Sequence, residues 1–184
     1  HLDVSQDLGA LARFPVAVVC AGAKSVLDLP KTLEVLETLG VPVIGVGTGE
    51  FPGFYSRRTG LKLEHQVAGA AQAARVCEAR FGELRQGGMV LALPPPEETA
   101  LRFADVERHL KGALSAAKRR KIAGKAVTPF LLGELFARTK GKSLAANLAL
   151  LENNARFAAQ VAVALWTTTS SNAPRGATIL PSCM

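Results

Sequence analysis

The stretch Val16–Ser25, VAVVCAGAKS, decides how the rest of the chain is read. From Val16 to Ala21 its apolar residues run without alternation and favour β-branched side chains, the pattern of a strand covered on both faces, as in a parallel sheet. Small residues follow, and then a lysine. A charge at the mouth of a buried strand poses a functional question, because ligands of open α/β sheets gather beyond the carboxyl ends of the strands.

Working outward, Asp28 reads as a helix N-cap and Pro30 suits the first turn. Leu29, Leu33, Leu36 and Leu39 recur at helical spacing before Gly40 stops the helix. The run Val41–Gly47, VPVIGVG, reads as a second buried strand, so residues 16–46 make a β-α-β unit of the kind that builds parallel sheets. Residues 61–67, LKLEHQV, alternate like a short edge strand, and 68–86 read as a helix stopped by Gly87 and Gly88. Residues 89–94, MVLALP, form a further buried strand broken by Pro94, Pro95 and Pro96. Helices are expected over 104–121, from an N-cap at Thr128 with Pro129 in the first turn to about 138, and from a cap at Ser143 to about 165. The alternation of strands and helices defines an α/β layered domain over residues 1–165. Residues 166–184 are polar and aperiodic, and are expected to form a disordered or poorly packed tail.

The bulk composition narrows the class. With 184 residues, 48% of them apolar, the chain can bury a core and fits one domain better than two. No apolar stretch approaches the roughly 20 residues of a membrane span, and no membrane partner is expected. The N-terminal HLDVSQD carries neither an initiator methionine nor a leader pattern, so the chain is expected to begin inside a longer one. Three widely spaced cysteines, Cys20, Cys77 and Cys183, argue against a disulfide framework and point to a reducing compartment, the cytoplasm. The net charge of +7 suits a phosphorylated small molecule, nucleic acid or simply a basic surface.

Several residues are candidates for chemistry. A lysine partly withdrawn from water can act as an amine nucleophile and form an imine with an aldehyde or opened sugar, and Lys24 stands where a ligand could approach it. Asp3, Ser5 and Asp7 bring three oxygen-bearing side chains to alternate positions, a set that suits a hard cation but that more simply caps a helix or belongs to a solvated terminus. GVGTGE, residues 45–50, fails the dinucleotide fingerprint because its third glycine would fall at Glu50 and no helix follows. His1, His65 and His109 share no metal-ligand spacing. The basic run AKRRKIAGK, residues 117–125, lies where a helix C-terminus favours cations, and nucleic acid is not expected as a partner. Asn153 and Asn154 are adjacent amides in an alanine- and leucine-rich helix; they must face solvent, find partners or meet a ligand.

With these residues in hand, the chain resembles the pseudouridine-5′-phosphate glycosidase family, also called the indigoidine synthase A family. The resemblance rests on DVSQDL, PVAVVCAGAKSVLDLPKTLEVLETLGVPVIG, GTGEFPGFYSR, VTPFLL and SLAANLALLENNARFAAQVAVAL, in family order from Asp3 to Leu165. It implies a layered α/β/α fold with a mostly parallel sheet, incomplete at the N-terminus, and a homotrimer when full length. It implies a divalent metal, usually Mn²⁺, and reversible cleavage of the C-glycosidic bond of pseudouridine 5′-phosphate to uracil and ribose 5-phosphate. Such a bond has no leaving-group oxygen to protonate, so the two carboxylates of ordinary glycosidases do not suffice. In the family's mechanism a lysine attacks the anomeric carbon, the sugar ring opens, and uracil departs to leave a lysine imine with the opened sugar.

By the same resemblance Lys24 matches the nucleophile and Asp3 the metal-binding aspartate. Ser5, Gln6 and Asp7 match a substrate-contacting Ser-Ala-Asp, with Gln6 larger than its counterpart, and Asn153 and Asn154 match an Asn-Asn pair at the substrate. The family's Ala-Asn-Pro appears here as Ala92-Leu93-Pro94. The general-acid glutamate and a phosphate-binding lysine belong to an upstream portion that has no counterpart here. The resemblance therefore carries an alternative, a catalytically inactive truncated form that binds only sugar phosphate or a partner.

Overall fold

The apolar runs become strands and the periodic segments helices, in an order that sets one end of the sheet apart. The computed structural model describes residues 5, 7–24, 27–169 and 178–181. In chain order its elements are α1 (Asp7–Arg13), β1 (Val16–Cys20), α2 (Leu29–Thr38), β2 (Val43–Val46), β3 (His65–Val67), α3 (Ala70–Glu78), β4 (Met89–Ala92), α4 (Phe103–Arg119), α5 (Val127–Arg138), α6 (Lys142–Thr169) and β5 (Thr178–Pro181). The strands lie in the order β3-β2-β4-β1-β5, and every pairing is parallel. β1 and β2 are thus parallel but not neighbours: β4 pairs with both, Val90 standing opposite Val18 on one side and Val43 on the other.

Three apolar cores explain the layering. On one face, Ala17 and Val19 of β1 and Met89 and Leu91 of β4 pack with Ala73, Ala74 and Cys77 of α3 and with Phe157, Ala158 and Val161 of α6. On the other, Val18, Cys20 and Val90 pack with Leu8 and Leu11 of α1 and Leu29 and Leu36 of α2. Successive strand side chains point to opposite faces, so a run apolar on both is what a sheet between two helical layers requires. A third core, with Val106, Leu110, Leu135, Ala146 and Leu150 from α4, α5 and α6, includes Ala21, Phe54 and Tyr55 and so lies at the carboxyl end of β1. The α/β/α class expected from the sequence is the fold observed.

Local signals held where the side chain could reach the backbone it was expected to serve. Asp28 caps α2, its Oδ1 accepting the Lys31 N–H at 3.1 Å, with proline in the first turn. Thr128 and Ser143 are not caps. α5 starts earlier because a 3-10 turn at Gly124–Ala126, entered through Gly124 at φ +59°, already winds the chain into the helix. For α6 the role passes to Thr139, whose Oγ1 accepts the Ser143 N–H at 3.1 Å while donating to the Leu135 carbonyl at 2.8 Å. The helix expected over 68–86 begins at Ala70, and after α3 its last turns widen into a π-helical segment, Ala79–Glu83. There Arg80 donates to the carbonyls of Gly87, Gly88 and Gly40, tying the entry of β4 to the end of α2.

Beyond residue 165 the structure departs from an aperiodic tail. α6 continues to Thr169, and Thr178–Pro181 adds a fifth strand alongside β1, in register from Val16 opposite Thr178 to Val19 opposite Pro181. The reason is tertiary: without β5, β1 would present an open edge of unpaired backbone groups, which a short strand of weak local pattern can fill. Among the described residues no helix is long and apolar enough to cross a membrane.

Candidate functional site

β1 ends where glycine turns the chain. Gly22 sits at φ +87°, a conformation L side chains rarely adopt, and a Cβ there would lie 1.8 Å from the Pro52 carbonyl oxygen. Ala21 and Ala23 on either side are buried. Two backbone hydrogen bonds pin the same exit: Leu93 N–H donates to the Cys20 carbonyl and Phe54 N–H to the Ala21 carbonyl, each at 2.8 Å. Lys24 follows half-buried, its carbonyl accepting the Leu27 N–H at 2.8 Å in the turn that leads to Asp28 and α2. The lysine therefore stands between a strand's carboxyl end and a helix's start, where α/β sheets present ligands.

The loop that meets this exit is itself constrained. Phe54 adopts φ +58°, rare for a bulky residue. Its N–H bond to Ala21 holds it there, as does an edge-to-face contact with Tyr55, the ring centroids 4.8 Å apart at 86°. Burial pushes the Tyr55 hydroxyl pKa up, which keeps it neutral. Backbone outliers of this kind persist only where surrounding structure over-determines them.

The other candidates reach the same end of the sheet by different routes. α1 runs into β1 through Phe14 and Pro15, and the Gly88 N–H, just before β4, donates to the Leu11 carbonyl at 2.6 Å. The C-terminus of α1 is thus at the amino edge of the sheet, which turns its N-terminus, with Ser5 and Asp7, toward the edge that carries Lys24. There Ser5 Oγ donates to Asp7 Oδ2 at 2.9 Å and accepts the Asp7 N–H at 3.3 Å. Asp3 and Gln6 lie outside the described residues, as does Cys183.

On α6, Leu150 packs in the core containing Ala21, while Phe157 and Val161 pack against Ala17 and Val19 of β1. Asn153 and Asn154 fall between these levels, flanking the carboxyl end of β1. Asn154 is buried, and Asn153 donates through Nδ2 to the Pro94 carbonyl at 3.3 Å.

Two residues of this region escaped the sequence reading. Asn147 is seven positions before Asn154, hence on the same helical face, and its Oδ1 is buried with no hydrogen-bond partner among the described residues. That spacing was the available signal. Arg57, in the loop after β2, donates through Nη1 to the Pro95 carbonyl at 2.6 Å; nothing in the sequence set it apart from other loop arginines.

The remaining motifs have structural roles. In GVGTGE, Thr48 Oγ1 accepts the Glu50 N–H at 3.1 Å and Glu50 Oε2 accepts the Gly60 N–H at 3.0 Å, closing the loop on itself. The basic run 117–125 begins in the last turn of α4, with Arg120 stacked 5.4 Å over the Phe130 ring. Among the described residues no three His, Cys, Asp or Glu side chains converge.

A layered α/β/α domain with a lysine at the carboxyl edge of a parallel sheet, small residues before it and an asparagine tied to the chain beyond β4, is the class these observations define. A family model described as indigoidine synthase A like protein matches residues 1–164. The chain belongs to that family. It is 65% identical over 164 residues to the pseudouridine-5′-phosphate glycosidase of Myxococcus xanthus, covering 89% of this chain and 54% of that protein. The pseudouridine-5′-phosphate glycosidase of Caldanaerobacter subterraneus subsp. tengcongensis is 52% identical over 163 residues, with 89% and 53% covered.

Solved structures agree. The prealnumycin C-glycosynthase AlnA, in complex with ribulose 5-phosphate, matches with TM-score 0.84 at 33% identity, over 91% of this chain and 55% of that one. An indigoidine synthase A-like protein from Thermotoga maritima matches with TM-score 0.76 at 38% identity, over 88% and 53%. The chain spans about half the length of the curated relatives it matches.

Proposed function

We propose that this chain carries the nucleophile-bearing part of a pseudouridine-5′-phosphate glycosidase. The observation that carries the reading is Lys24, half-buried just beyond the carboxyl end of β1 on an exit pinned by Cys20, Ala21 and Gly22. The names of relatives up to 65% identical support the same reaction.

In this reading the Lys24 amine attacks C1′ of the sugar; the C1′–N bond forms and the C1′–O4′ bond breaks, the ring oxygen taking a proton and the nitrogen giving one up. The nitrogen lone pair then forms the imine as the C1′–C5 bond to uracil breaks and C5 takes a proton. Water adds to the imine, the C–N bond breaks, and ribose 5-phosphate leaves with the amine restored. Ser5, Gln6, Asp7, Asn153 and Asn154 are assigned to substrate, where carboxylate, hydroxyl and amide groups suit sugar hydroxyls and a pyrimidine edge. Asp3 is assigned to a divalent cation such as Mn²⁺, a hard ion that carboxylate oxygen and water suit and that would offset phosphate charge. We place the protein in the cytoplasm as a homotrimer; the buried thiol of Cys77 accords with a reducing compartment.

The test is to add ribose 5-phosphate and borohydride to the 184-residue chain, and to the chain joined to the part of the Myxococcus xanthus relative that it does not match. Peptide mass spectrometry should find the reduced adduct on Lys24, and uracil release from pseudouridine 5′-phosphate should vanish in Lys24→Ala. An adduct-free protein, or an active Lys24→Ala variant, rules the reading out.

A further inference from the structure

The segment after β4 contains three consecutive prolines, Pro94, Pro95 and Pro96. Proline has no backbone N–H, so this stretch can be tied down only through its carbonyl oxygens. Each of the three has a donor. Pro96 takes the Ala100 N–H at 3.0 Å, a local turn, but the other two depend on side chains from distant elements. Asn153 Nδ2, on α6, donates to Pro94 at 3.3 Å, and Arg57 Nη1, from the loop after β2, donates to Pro95 at 2.6 Å. Pro94 and Pro95 are buried, where an unmet carbonyl would be costly.

This clamp is continuous with the exit of β1. Leu93, the residue before the prolines, donates its N–H to Cys20, four positions before Lys24. The loop that carries Arg57 also supplies the Phe54 bond to Ala21 and the Pro52 carbonyl against Gly22, and its Tyr55 carbonyl accepts the Leu101 N–H at 2.7 Å. The loops after β2 and β4 are therefore locked to each other and, at separate points, to the chain that delivers the lysine.

We infer that Arg57 and Asn153 are positioning residues, which act through the Pro94 and Pro95 carbonyls to fix the β1 exit and thereby the reach of the Lys24 amine. The inference rests on the lysine reading above. For Asn153 it adds to substrate contact a structural duty of its Nδ2, leaving Oδ1 to face a ligand.

Arg57→Ala and Arg57→Lys, made in both forms of the protein used above, test it. Hydrogen exchange is read at the Leu93 and Phe54 amides, and borohydride trapping on Lys24 is read against ribose 5-phosphate concentration. In Arg57→Ala both amides should exchange about tenfold faster, the scale of losing one charge-assisted hydrogen bond. The trapping rate at saturation should fall about as far, with the half-saturating concentration changed less than about threefold, because positioning and not binding is lost. Arg57→Lys, which keeps a donor for Pro95, should recover most of both. Unchanged exchange in Arg57→Ala overturns the inference whatever the chemistry. So does faster exchange with wild-type trapping. If the wild-type protein itself forms no adduct, the lysine reading falls, and with it the part of the inference that concerns the amine.

Discussion

Gly22 lies against Pro52 so closely that a methyl group on its Cα would stand 1.8 Å from the Pro52 carbonyl oxygen, and its φ of +87° is one that alanine resists. The two penalties are independent, one steric against backbone and one conformational. Gly22→Ala should therefore lower the free energy of unfolding by about 3 kcal/mol or more, at the upper end for single substitutions. Gly40, also at positive φ but with open space around it, is the control: Gly40→Ala should cost only the conformational part, about 1 kcal/mol. Urea denaturation of the two variants checks this; equal losses would mean that the Pro52 contact relaxes freely.

How much of this was legible in the sequence depended on whether the deciding force was local. The runs at 16–21 and 89–94 read as strands because both faces are buried, and Asp28 read as a cap because its carboxylate needs only the next turn of backbone. Strand order was not legible: nothing near Val16 or Val43 says that Met89–Ala92 will lie between them. Nor was β5, whose partner is β1's open edge and not any pattern of its own. Thr128 and Ser143 misled because capping is decided by which oxygen reaches which N–H, and Thr139 reached first. At the candidate site, Lys24 stands out in the sequence by its place after a buried strand, whereas Arg57 gains its meaning only from a proline carbonyl 38 positions away.

Cys77 provides a pH signature. Burial pushes its thiol pKa up to about 11 from an ordinary value of 9.0, with the sulfur 3.8 Å from that of Met89. Below pH 9 both folded and unfolded chains hold the proton and this contribution to stability is fully present. Between about pH 9 and 11 the unfolded chain releases the proton while the buried thiol keeps it, so unfolding becomes more favourable by about 2 kcal/mol across the window. Tyr55, raised in the same direction, adds to the fall at the alkaline end. Urea midpoints at pH 8 and pH 10.5 should show the loss, and Cys77→Ala should show a smaller pH dependence on a lower baseline, its cavity costing about 1 kcal/mol. The same pH dependence in Cys77→Ala would remove the thiol from the explanation.

The strand Thr178–Pro181 covers β1 along Val16–Val19. Deleting residues 170–184 uncovers those backbone groups on the strand that leads to Lys24. An exposed, apolar parallel edge is a template for pairing with another chain. The truncated protein should self-associate more at a given concentration, by light scattering, and the Val16–Val19 amides should exchange faster. Wild-type scattering and wild-type exchange after truncation would show that β1 needs no cover from the tail.

Asn147 offers a case in which stability and function should move in opposite directions. Its Oδ1 is buried on the face of α6 that also carries Asn154, yet among the described residues it accepts no hydrogen bond. An acceptor left unmet in the free protein is a standing cost, which a donor on a ligand would offset. Replacing the amide by leucine, of similar size and without polar atoms, should leave the free protein as stable or more so by about 1 kcal/mol. If the oxygen faces the sugar, the same Asn147→Leu change should lower adduct formation at Lys24 about tenfold, the loss of a hydrogen bond to substrate. Thermal unfolding and borohydride trapping on one variant separate the cases. A stable variant that traps normally would show that Asn147 faces no substrate, and a destabilised one that the amide already has an internal partner.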